Sequence, residues 1–372
     1  MGAMRTGIDA RLLHYQAGGI SQYTRQLVNA LARLDADNSY VILQMRQHDE
    51  EITPALNFQR APCWTPAHHR LERWSLSLEV ALLGLEVFHS TDFIPPATGY
   101  RRGIITVHDL NFLYFPELLT PESRRHYADQ IAWAVRRADK IIAVSEATRQ
   151  DLIERLHVPE RRIAVIYEAA APAFKPLPPA DVTATLARYA LAPGYLLFVG
   201  TLEPRKNLPA VLTAYARLRE RRADVPPFVL AGRKGWLFQE IFTTVARLDL
   251  ARDVRFLDRP RREDFPALYG GASALVLASR YEGFGLPVLE AMQCGTPVVA
   301  SNRAALPEIT GDAGLLIDPD EPESIAAALE RILYDGALRD DLRERGLARA
   351  ARFSWTRTAR ETLNQYHLLA ET

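Results

Sequence analysis

The chain has 372 residues, of which 48% are hydrophobic and 24% are charged, and its formal net charge at pH 7 is zero. This length exceeds what one hydrophobic core usually supports, so we expect two domains, and the neutral balance argues against binding nucleic acid through its phosphates. Two distant cysteines, Cys63 and Cys294, form no CxxC or metal-binding spacing, which favours a cytoplasmic location, and no segment approaches the roughly 20 apolar residues of a membrane span.

Short β-branched segments alternate with helical patterns along the whole chain, which is typical of parallel sheets built from βαβ units. The predicted strands of the first half are Thr6–Ala10, Tyr40–Met45, Glu86–His89, Gly103–Val107, Lys140–Val144 and Ile163–Tyr167. The predicted strands of the second half are Tyr195–Val199, Pro227–Ala231, Val254–Leu257, Ala274–Ala278, Pro297–Ala300 and Gly314–Ile317. The sequence therefore predicts an α/β fold with two Rossmann-like domains.

A proline-rich segment separates the two sets of strands. Ala169–Ala180 contains four prolines, which disfavour both a helix and a central strand, so we place the interdomain linker there. The predicted domains are residues 1–172 and 173–354. Residues 355–372 form a further helix whose apolar positions can dock on either domain, including by crossing back to the first. A cleft between two such domains would face the carboxyl ends of both sheets.

Two features of the first half are candidate ligand contacts. Gly18 and Gly19 follow the first strand and permit a loop that approaches a ligand closely, although a glycine pair alone is usually just a turn and does not form the GxGxxG fingerprint. His108 follows the strand Gly103–Val107 at a carboxyl end, where ligand sites of α/β folds lie. It can hydrogen-bond a sugar hydroxyl or a leaving phosphate. The alternative is a strand-end histidine that its neighbour Asp109 caps.

The segment Arg70–Leu83 mixes basic and apolar residues, as peripheral membrane proteins do. The alternative is an amphipathic helix that packs on its own sheet. The nearby histidines His68 and His69 lie in a polar stretch, and the sequence matches neither HExxH nor another metal-binding pattern, so we predict no metal site.

In the second half, a polar loop follows the strand Tyr195–Val199 and leads into a helix. Its sequence is Gly200-Thr-Leu-Glu-Pro-Arg-Lys-Asn207. Arg205 and Lys206 come just before the helix, so their charges can converge with its first amides on a diphosphate. The alternative is an ordinary solvated basic pair.

The most informative motif is Glu282-Gly-Phe-Gly-Leu-Pro-Val-Leu-Glu290. It follows a predicted strand, Pro287 suits the beginning of a helix, and Gly295 suits a left-handed helix end. The amides predicted to attract phosphate at this helix start are those of Gly283, Phe284, Gly285 and Leu286. Glu282 in the loop and Glu290 in the first turn can accept hydrogen bonds from the hydroxyls of an extended ligand, such as those of a hexose and a ribose.

On these motifs the chain resembles the family-4 retaining glycosyltransferases of the GT-B fold, which assemble bacterial polysaccharides and glycolipids. The resemblance extends over nearly the whole chain. Besides the Glu282–Glu290 motif and the residues that follow it to Val299, it rests on Leu306–Leu315, Gly200–Asn207, Ala231–Trp236 and Val144–Thr148. It implies two Rossmann-like domains whose parallel sheets face a central cleft.

The resemblance also implies roles for the candidate residues. Glu282 and the amides of Gly283–Leu286 would hold the donor sugar, and Glu290 would hold the ribose. The diphosphate would be bound by Arg205 and Lys206 and covered by Gly18 and Gly19, with His108 near the sugar. Catalysis would then involve His108 and Glu282, with retention of the anomeric configuration and without a metal or cofactor, because the leaving phosphate helps to take the proton of the acceptor.

Two departures from the family limit this transfer. Many members have Arg where this chain has Thr201, so one phosphate contact is absent or replaced. The sequence Tyr167-Glu-Ala-Ala-Ala replaces a common Asn-Gly-Val-Asp pattern, which leaves Glu168 without an assigned role.

The segments Gly200–Asn207 and Gly232–Trp236 most resemble bacterial mannosyltransferases. The leading hypothesis is therefore transfer of a hexose, with mannose from GDP-mannose favoured, to a glycan or lipid-linked acceptor, with peripheral contact to the cytoplasmic face of the membrane. The alternatives are a UDP-glucose-type donor, a nucleotide-sugar 2-epimerase on the same fold, and a non-catalytic sugar-nucleotide binder.

Overall fold

The computed structural model describes residues 3–15, 18–118 and 121–371 and divides the chain into two compact units. The first unit comprises Met1–Ala169 and Ser354–Thr372, and the second comprises Ala170–Phe353. The chain leaves the first unit at the beginning of the proline-rich segment, three residues before the predicted boundary. Within the described residues, no helix is both long enough and apolar enough to cross a bilayer.

The first unit contains a parallel sheet. Its strands are β1 (Arg5–Asp9), β2 (Ser39–Met45), β3 (Phe58–Cys63), β4 (Leu85–Ser90), β5 (Tyr100–Val107), β6 (Lys140–Ala143) and β7 (Ile163–Val165). In the described part of the chain they lie in the order β3-β2-β1-β4-β5-β6-β7. The reversal of direction beside β1 is the arrangement of a Rossmann-like sheet.

The second unit contains another parallel sheet. Its strands are β8 (Tyr195–Val199), β9 (Phe228–Ala231), β10 (Val254–Leu257), β11 (Ala272–Leu277), β12 (Val298–Ser301) and β13 (Leu315–Ile317). They lie in the order β10-β9-β8-β11-β12-β13, which reverses beside β8. All five residues of β8 are buried, as expected for a strand whose sheet is covered by helices on both faces. The predicted α/β class with two Rossmann-like sheets is confirmed.

Helices connect the strands. Those of the first unit are α1 (Gly18–Leu34), α2 (Glu72–Ala81), α3 (Asn111–Tyr114), α4 (Pro121–His126), α5 (Ala128–Arg137) and α6 (Glu146–Leu156). Those of the second unit are α7 (Pro179–Ala187), α8 (Leu208–Arg221), α9 (Gln239–Arg247), α10 (Phe265–Gly270), α11 (Leu286–Gln293), α12 (Leu306–Thr310), α13 (Pro322–Tyr334) and α14 (Gly336–Ala350). The last helix, α15 (Trp355–Ala370), belongs to the first unit. Short 3-10 turns occupy Arg11–Tyr15, Pro116–Leu118, Glu160–Arg162, Pro204–Lys206 and Arg262–Asp264.

Strand β3 is absent from the strands predicted for the sequence. It lies at the edge of the first sheet, and most of its side chains are exposed or half-buried. It contains Arg60 and Pro62, and a proline is tolerated at an edge because one side of such a strand needs no ladder hydrogen bonds. An edge strand of this kind lacks the continuous apolar pattern by which the other strands were recognised.

Helix α15 is attached to the first unit by a buried polar contact as well as by packing. Tyr366 is fully buried, and its hydroxyl lies 2.6 Å from Nδ1 of His89 on β4. Nε2 of His89 lies 2.8 Å from the hydroxyl of Thr106 on β5. Because burial lowers the pKa of His89 to about 3, the ring is neutral and takes one hydrogen bond on each nitrogen.

Candidate active site

The two motifs predicted to grip the donor emerge at the same edge of the second sheet. Strand β8 pairs in parallel with β11, so the loops that follow these strands leave the sheet side by side. The first loop carries Arg205 and Lys206, and the second carries Glu282. The carboxyl edge of a parallel sheet at the point where strand order reverses is where α/β folds bind ligands.

Glu282 is the centre of a charged cluster at this edge. Its Oε1 lies 2.5 Å from Nζ of Lys206 and 2.6 Å from the hydroxyl of Ser279, which donates to it. Its Oε2 accepts a hydrogen bond of 2.8 Å from Arg205, which forms a second ion pair of 2.8 Å with Glu203. The cluster therefore holds two carboxylates against two cations.

These charges are withdrawn from solvent. Burial by itself would raise the pKa of Glu282, but the charges of Lys206 and Arg205 outweigh burial and hold it at about 2. Lys206 and Glu282 are each 7% exposed. The alternative of a solvated basic pair is therefore wrong. Carboxylate oxygens hold both cations in fixed positions, and an anionic ligand would bind here by competing for them.

Backbone contacts fix the loop that carries the basic pair. The amide of Leu202 donates to the carbonyl of Arg233 over 2.9 Å, so the loops after β8 and β9 continue side by side beyond the sheet. They approach so closely that a Cβ at Gly232 would lie 1.9 Å from the carbonyl oxygen of Gly200. The glycines of the segments Gly200–Asn207 and Ala231–Trp236 thus permit a contact that no larger residue allows.

Helix α11 begins beside the charged cluster, as predicted. Gly285 precedes it in the left-handed region with φ +105°, Leu286 is its first residue and Pro287 its second. At its other end Gly295 is left-handed with φ +75°. The unpaired amides and dipole of a helix start favour anions, and here that start lies four residues after Glu282.

Glu290 lies in the second turn of α11, not in the first turn as predicted. The helix begins at Leu286, one residue before Pro287, at which the sequence predicted its beginning, so Glu290 is its fifth residue. The Tyr269 hydroxyl donates to Oε2 of Glu290 over 2.8 Å. Burial raises the pKa of Glu290 to about 7. The proposed ribose contact stays a prediction.

In the first unit, His108 lies at the carboxyl end of β5 and has a partner on each ring nitrogen. Nδ1 lies 2.8 Å from Oε1 of Glu168, and Nε2 lies 2.9 Å from the carbonyl oxygen of Thr91. A carbonyl oxygen and a carboxylate both accept hydrogen bonds, so these two partners favour the ring form that carries a proton on each nitrogen. Burial acts against this charge, but the hydrogen bond and charge of Glu168 raise the pKa of His108. His108 thus lies at this sheet edge in an ion pair with Glu168, and both of its ring nitrogens have partners within the first unit.

Two other expectations for the first unit need correction. Asp109 does not cap His108, because its Oδ1 accepts hydrogen bonds from the backbone and side chain of Asn111 at the start of α3. Gly18 and Gly19 are not a loop but the first residues of α1, with Gly18 left-handed at φ +87°. Both glycines are exposed, so the backbone there is accessible, and their covering role stays a prediction.

Four residues whose side chains contact the predicted site residues were not predicted from the sequence. They are Glu168, Glu203, Tyr269 and Ser279. Ser279 and Glu203 lie within three residues of recognised motif residues, so their proximity in sequence was a usable signal. Glu168 and Tyr269 are 60 and 21 residues from their partners, and only the fold brings each pair together.

Two Rossmann-like sheets in one chain, with a buried ionic cluster at the ligand-binding edge of the second, define the GT-B class of enzymes. Residues 17–174 match the family described as Glycosyltransferase Family 4, and residues 190–349 match the one described as glycosyl transferases group 1. O-antigen chain mannosyltransferase B of Escherichia coli is 37% identical over 96% of this chain and 98% of its own length.

Two further comparisons agree. D-inositol 3-phosphate glycosyltransferase of Corynebacterium urealyticum is 34% identical over 95% of this chain and 91% of that protein. The solved structure of sucrose-phosphate synthase from Thermosynechococcus elongatus superposes with a TM-score of 0.77 at 21% identity, covering 98% of this chain and 99% of that one. The chain belongs to the family-4 glycosyltransferases, and it is an enzyme that transfers a sugar.

Proposed function

We propose that the protein transfers mannose from GDP-mannose to a glycan or lipid-linked acceptor during polysaccharide assembly, with retention of the anomeric configuration. The observation that carries this proposal is the cluster in which Glu282 holds Arg205 and Lys206 at the start of α11. The donor sugar and the polysaccharide product are supported by the Escherichia coli relative, an O-antigen chain mannosyltransferase that aligns with this chain almost from end to end.

In this proposal the second unit binds the donor. Arg205, Lys206 and the first amides of α11 bind the diphosphate and stabilise the negative charge that develops as it leaves. Glu282, released in part from the two cations when the diphosphate takes their hydrogen bonds, accepts from a hydroxyl of the sugar. Glu290 accepts from the ribose.

The first unit supplies a charge and a backbone surface. His108 carries a positive charge, fixed by Glu168, that stabilises negative charge near the transferred sugar. Gly18 and Gly19 cover the diphosphate. The leaving phosphate takes the proton of the acceptor hydroxyl, so the transfer needs no side-chain base, metal or cofactor.

The test is incubation of the full chain with GDP-mannose, UDP-glucose and other nucleotide sugars, with and without candidate glycan and lipid-linked acceptors, followed by separation of nucleotides and products. We expect GDP to be released only when an acceptor is present. We also expect the new glycosidic bond to have the same anomeric configuration as the sugar in the donor. Turnover with UDP-glucose but not with GDP-mannose would contradict the proposed donor. Conversion of the donor to its 2-epimer without transfer would overturn the reaction type, and donor binding without any turnover would indicate a non-catalytic binder.

The acceptor side of the proposal includes peripheral contact with the cytoplasmic face of a membrane. Helix α2 buries one face, but Trp74 and Leu78 on the opposite face are 64% and 75% exposed, and Leu71 and Leu82 extend that face to 61% and 89% exposure. The basic side chain of Arg70 adjoins this face in sequence. Exposed aromatic and leucine side chains beside basic residues suit the interface of an anionic bilayer.

A further inference from the structure

Three potential metal ligands meet in the first unit, outside the proposed donor site. They are His68, which precedes α2, Asp92, which follows β4, and His126, the last residue of α4. Nε2 of His68 lies 3.0 Å from Oδ2 of Asp92. One ligand atom from each of the three residues lies within 4.8 Å of the others, and the two imidazole rings are 3.8 Å apart between centroids.

One nitrogen of this group is buried without a hydrogen-bond partner among the described residues. His126 is only 9% exposed, and its buried Nε2 has no hydrogen-bond partner within the described residues. A buried polar nitrogen without a partner is costly and uncommon in folded proteins. A cation between the three side chains would give this nitrogen a partner.

The ligand set indicates which cation would bind. Two imidazole nitrogens and one carboxylate oxygen suit Zn²⁺ and similar divalent transition metals, whereas Mg²⁺ and Ca²⁺ prefer oxygen ligands only. A tetrahedral ion about 2.0–2.1 Å from each ligand separates the ligand atoms by about 3.4 Å. The ligand atoms lie within 4.8 Å of one another, so metal binding would require the side chains to move together by up to about 1.4 Å.

We propose that His68, Asp92 and His126 bind a divalent transition-metal ion of the Zn²⁺ type, with a fourth position directed to the adjoining cavity. That cavity has a volume of about 620 Å³, and the two histidines line it together with Arg70, Arg73 and Arg125. These three arginines outnumber the carboxylate of Asp129, which also lines the cavity, so the cavity favours the entry of an anion together with the cation. The fourth ligand is therefore an anionic oxygen, which the arginines and the metal bind together.

The competing explanation is an ordinary ion pair between His68 and Asp92 with His126 packed against it. The two explanations differ in whether a stripped protein takes up metal. The full chain is treated with a chelator, dialysed, and titrated calorimetrically with Zn²⁺, and separately with Co²⁺ while its visible absorption is recorded. We expect one equivalent of Zn²⁺ to bind and the Co²⁺ complex to show the absorption bands of a low-coordinate nitrogen and oxygen site.

Substitutions of the three proposed ligands test where the metal binds. We expect His126→Gln, Asp92→Asn and His68→Asn each to weaken Zn²⁺ binding at least about 10-fold. Asparagine is chosen at position 68 because the backbone there is left-handed, with φ +65°, a conformation that it tolerates. The matched control is His157→Asn, which replaces an exposed histidine of the same unit at φ +52° and is expected to bind like the parent.

Two results would overturn the proposal. The first is a parent protein that takes up no stoichiometric Zn²⁺ and gives no Co²⁺ bands. The second is parent-like binding by His126→Gln, which would place any bound metal on other residues. The Co²⁺ spectrum of the parent needs no variant, so the proposal stays testable even if a substitution impairs folding.

Discussion

Glu282 sets the charge balance at the carboxyl edge of the second sheet. Its two oxygens contact both cations of the predicted diphosphate site, and the Ser279 hydroxyl supplies a third contact. A buried carboxylate with such partners remains ionised far below neutral pH, which is why the pKa of Glu282 is near 2. Loss of its charge would leave buried cations that nothing nearby fully compensates.

The variant Glu282→Gln tests this role, since it keeps the shape of the side chain and removes its charge. We expect kcat/KM for sugar transfer to fall at least about 100-fold, because the site loses the negative charge that holds Arg205 and Lys206 in position. We expect the apparent Tm to fall by about 5 °C, because Lys206 loses its carboxylate partner. Steady-state kinetics and thermal unfolding measure the two effects.

The matched control is Glu323→Gln, which removes an exposed carboxylate paired with Arg217 and Arg221 in the same unit. Exposed pairs contribute little to stability, so both measurements should stay at the parent value. Parent-like turnover by Glu282→Gln would show that Glu282 does not belong to the active site.

A second prediction at the residue scale concerns the charge of His108. Glu168 raises the pKa of His108 against the effect of burial. A histidine whose pKa is raised by folding contributes stability below its unfolded pKa of about 6.5 and loses that contribution as pH rises through the folded pKa. In Glu168→Gln we expect the NMR titration midpoint of the His108 ring to fall, because the ring loses the carboxylate that raises its pKa.

The stability lost in Glu168→Gln should accordingly be largest below about pH 6.5 and should shrink at higher pH. The control is Glu146→Gln, which removes an exposed carboxylate of the same unit that pairs with Arg149. An unchanged His108 midpoint in Glu168→Gln would mean that another group sets its protonation.

At the scale of elements, one buried hydroxyl contributes to the attachment of α15 to the first unit. Removal of the Tyr366 hydroxyl in Tyr366→Phe leaves Nδ1 of the neutral, buried His89 without its partner. We expect a cost of about 1–3 kcal/mol to the first unit, seen as a Tm lower by about 4 °C or more. Tyr334→Phe is the control, because it removes a hydroxyl bonded to Asp224 at the surface and should leave the Tm unchanged. An equal change in Tm for the two variants would contradict the prediction that the Tyr366 hydroxyl stabilises the first unit.

Helix α2 gives the second prediction at this scale. The double variant Trp74→Glu with Leu78→Glu replaces two exposed apolar side chains with charges. Moving an apolar side chain of this size from water into an apolar environment is favourable by roughly 1.5–3 kcal/mol. We therefore expect the double variant to bind vesicles that contain an anionic lipid more than 10-fold more weakly than the parent. Co-sedimentation measures this. Trp236→Glu, which changes a tryptophan of the second unit that is 41% exposed, should sediment like the parent. Equal sedimentation of parent and double variant would exclude α2 as the contact.

At the scale of the whole molecule, the sequence predicted the two sheets because most of their strands are buried on both faces and therefore form continuous apolar runs. The same reasoning failed for β3, an exposed edge strand. The Glu282–Glu290 motif was recognisable because its residues are contiguous in sequence, and its role in donor binding stays a prediction. Glu290 lies in the second turn of α11 and not in the first because the helix begins one residue before Pro287, and sequence patterns do not locate helix boundaries to one residue.

Contacts between distant parts of the chain could not be predicted in this way. His108 and Glu168 are 60 residues apart, and His68 and Asp92 are 24 residues apart. No periodicity or spacing rule connects such pairs, because their proximity is created by the order of the strands and not by local sequence. The role of Glu168 and the histidine cluster with Asp92 therefore became visible only in the structure.

The final prediction tests the proposal that the second unit binds the donor. If the second unit binds the donor, GDP should stabilise it preferentially, by about 2.7 kcal/mol at a concentration 100 times the Kd. We expect hydrogen exchange in the full chain to slow most in peptides that cover residues 280–293 and 200–208, where the charged cluster and the start of α11 lie. Peptides of α15 provide an internal control within the same sample. Stronger slowing across the first unit than at residues 280–293 would contradict the assignment of the donor site, because the nucleotide would then bind chiefly to the other sheet.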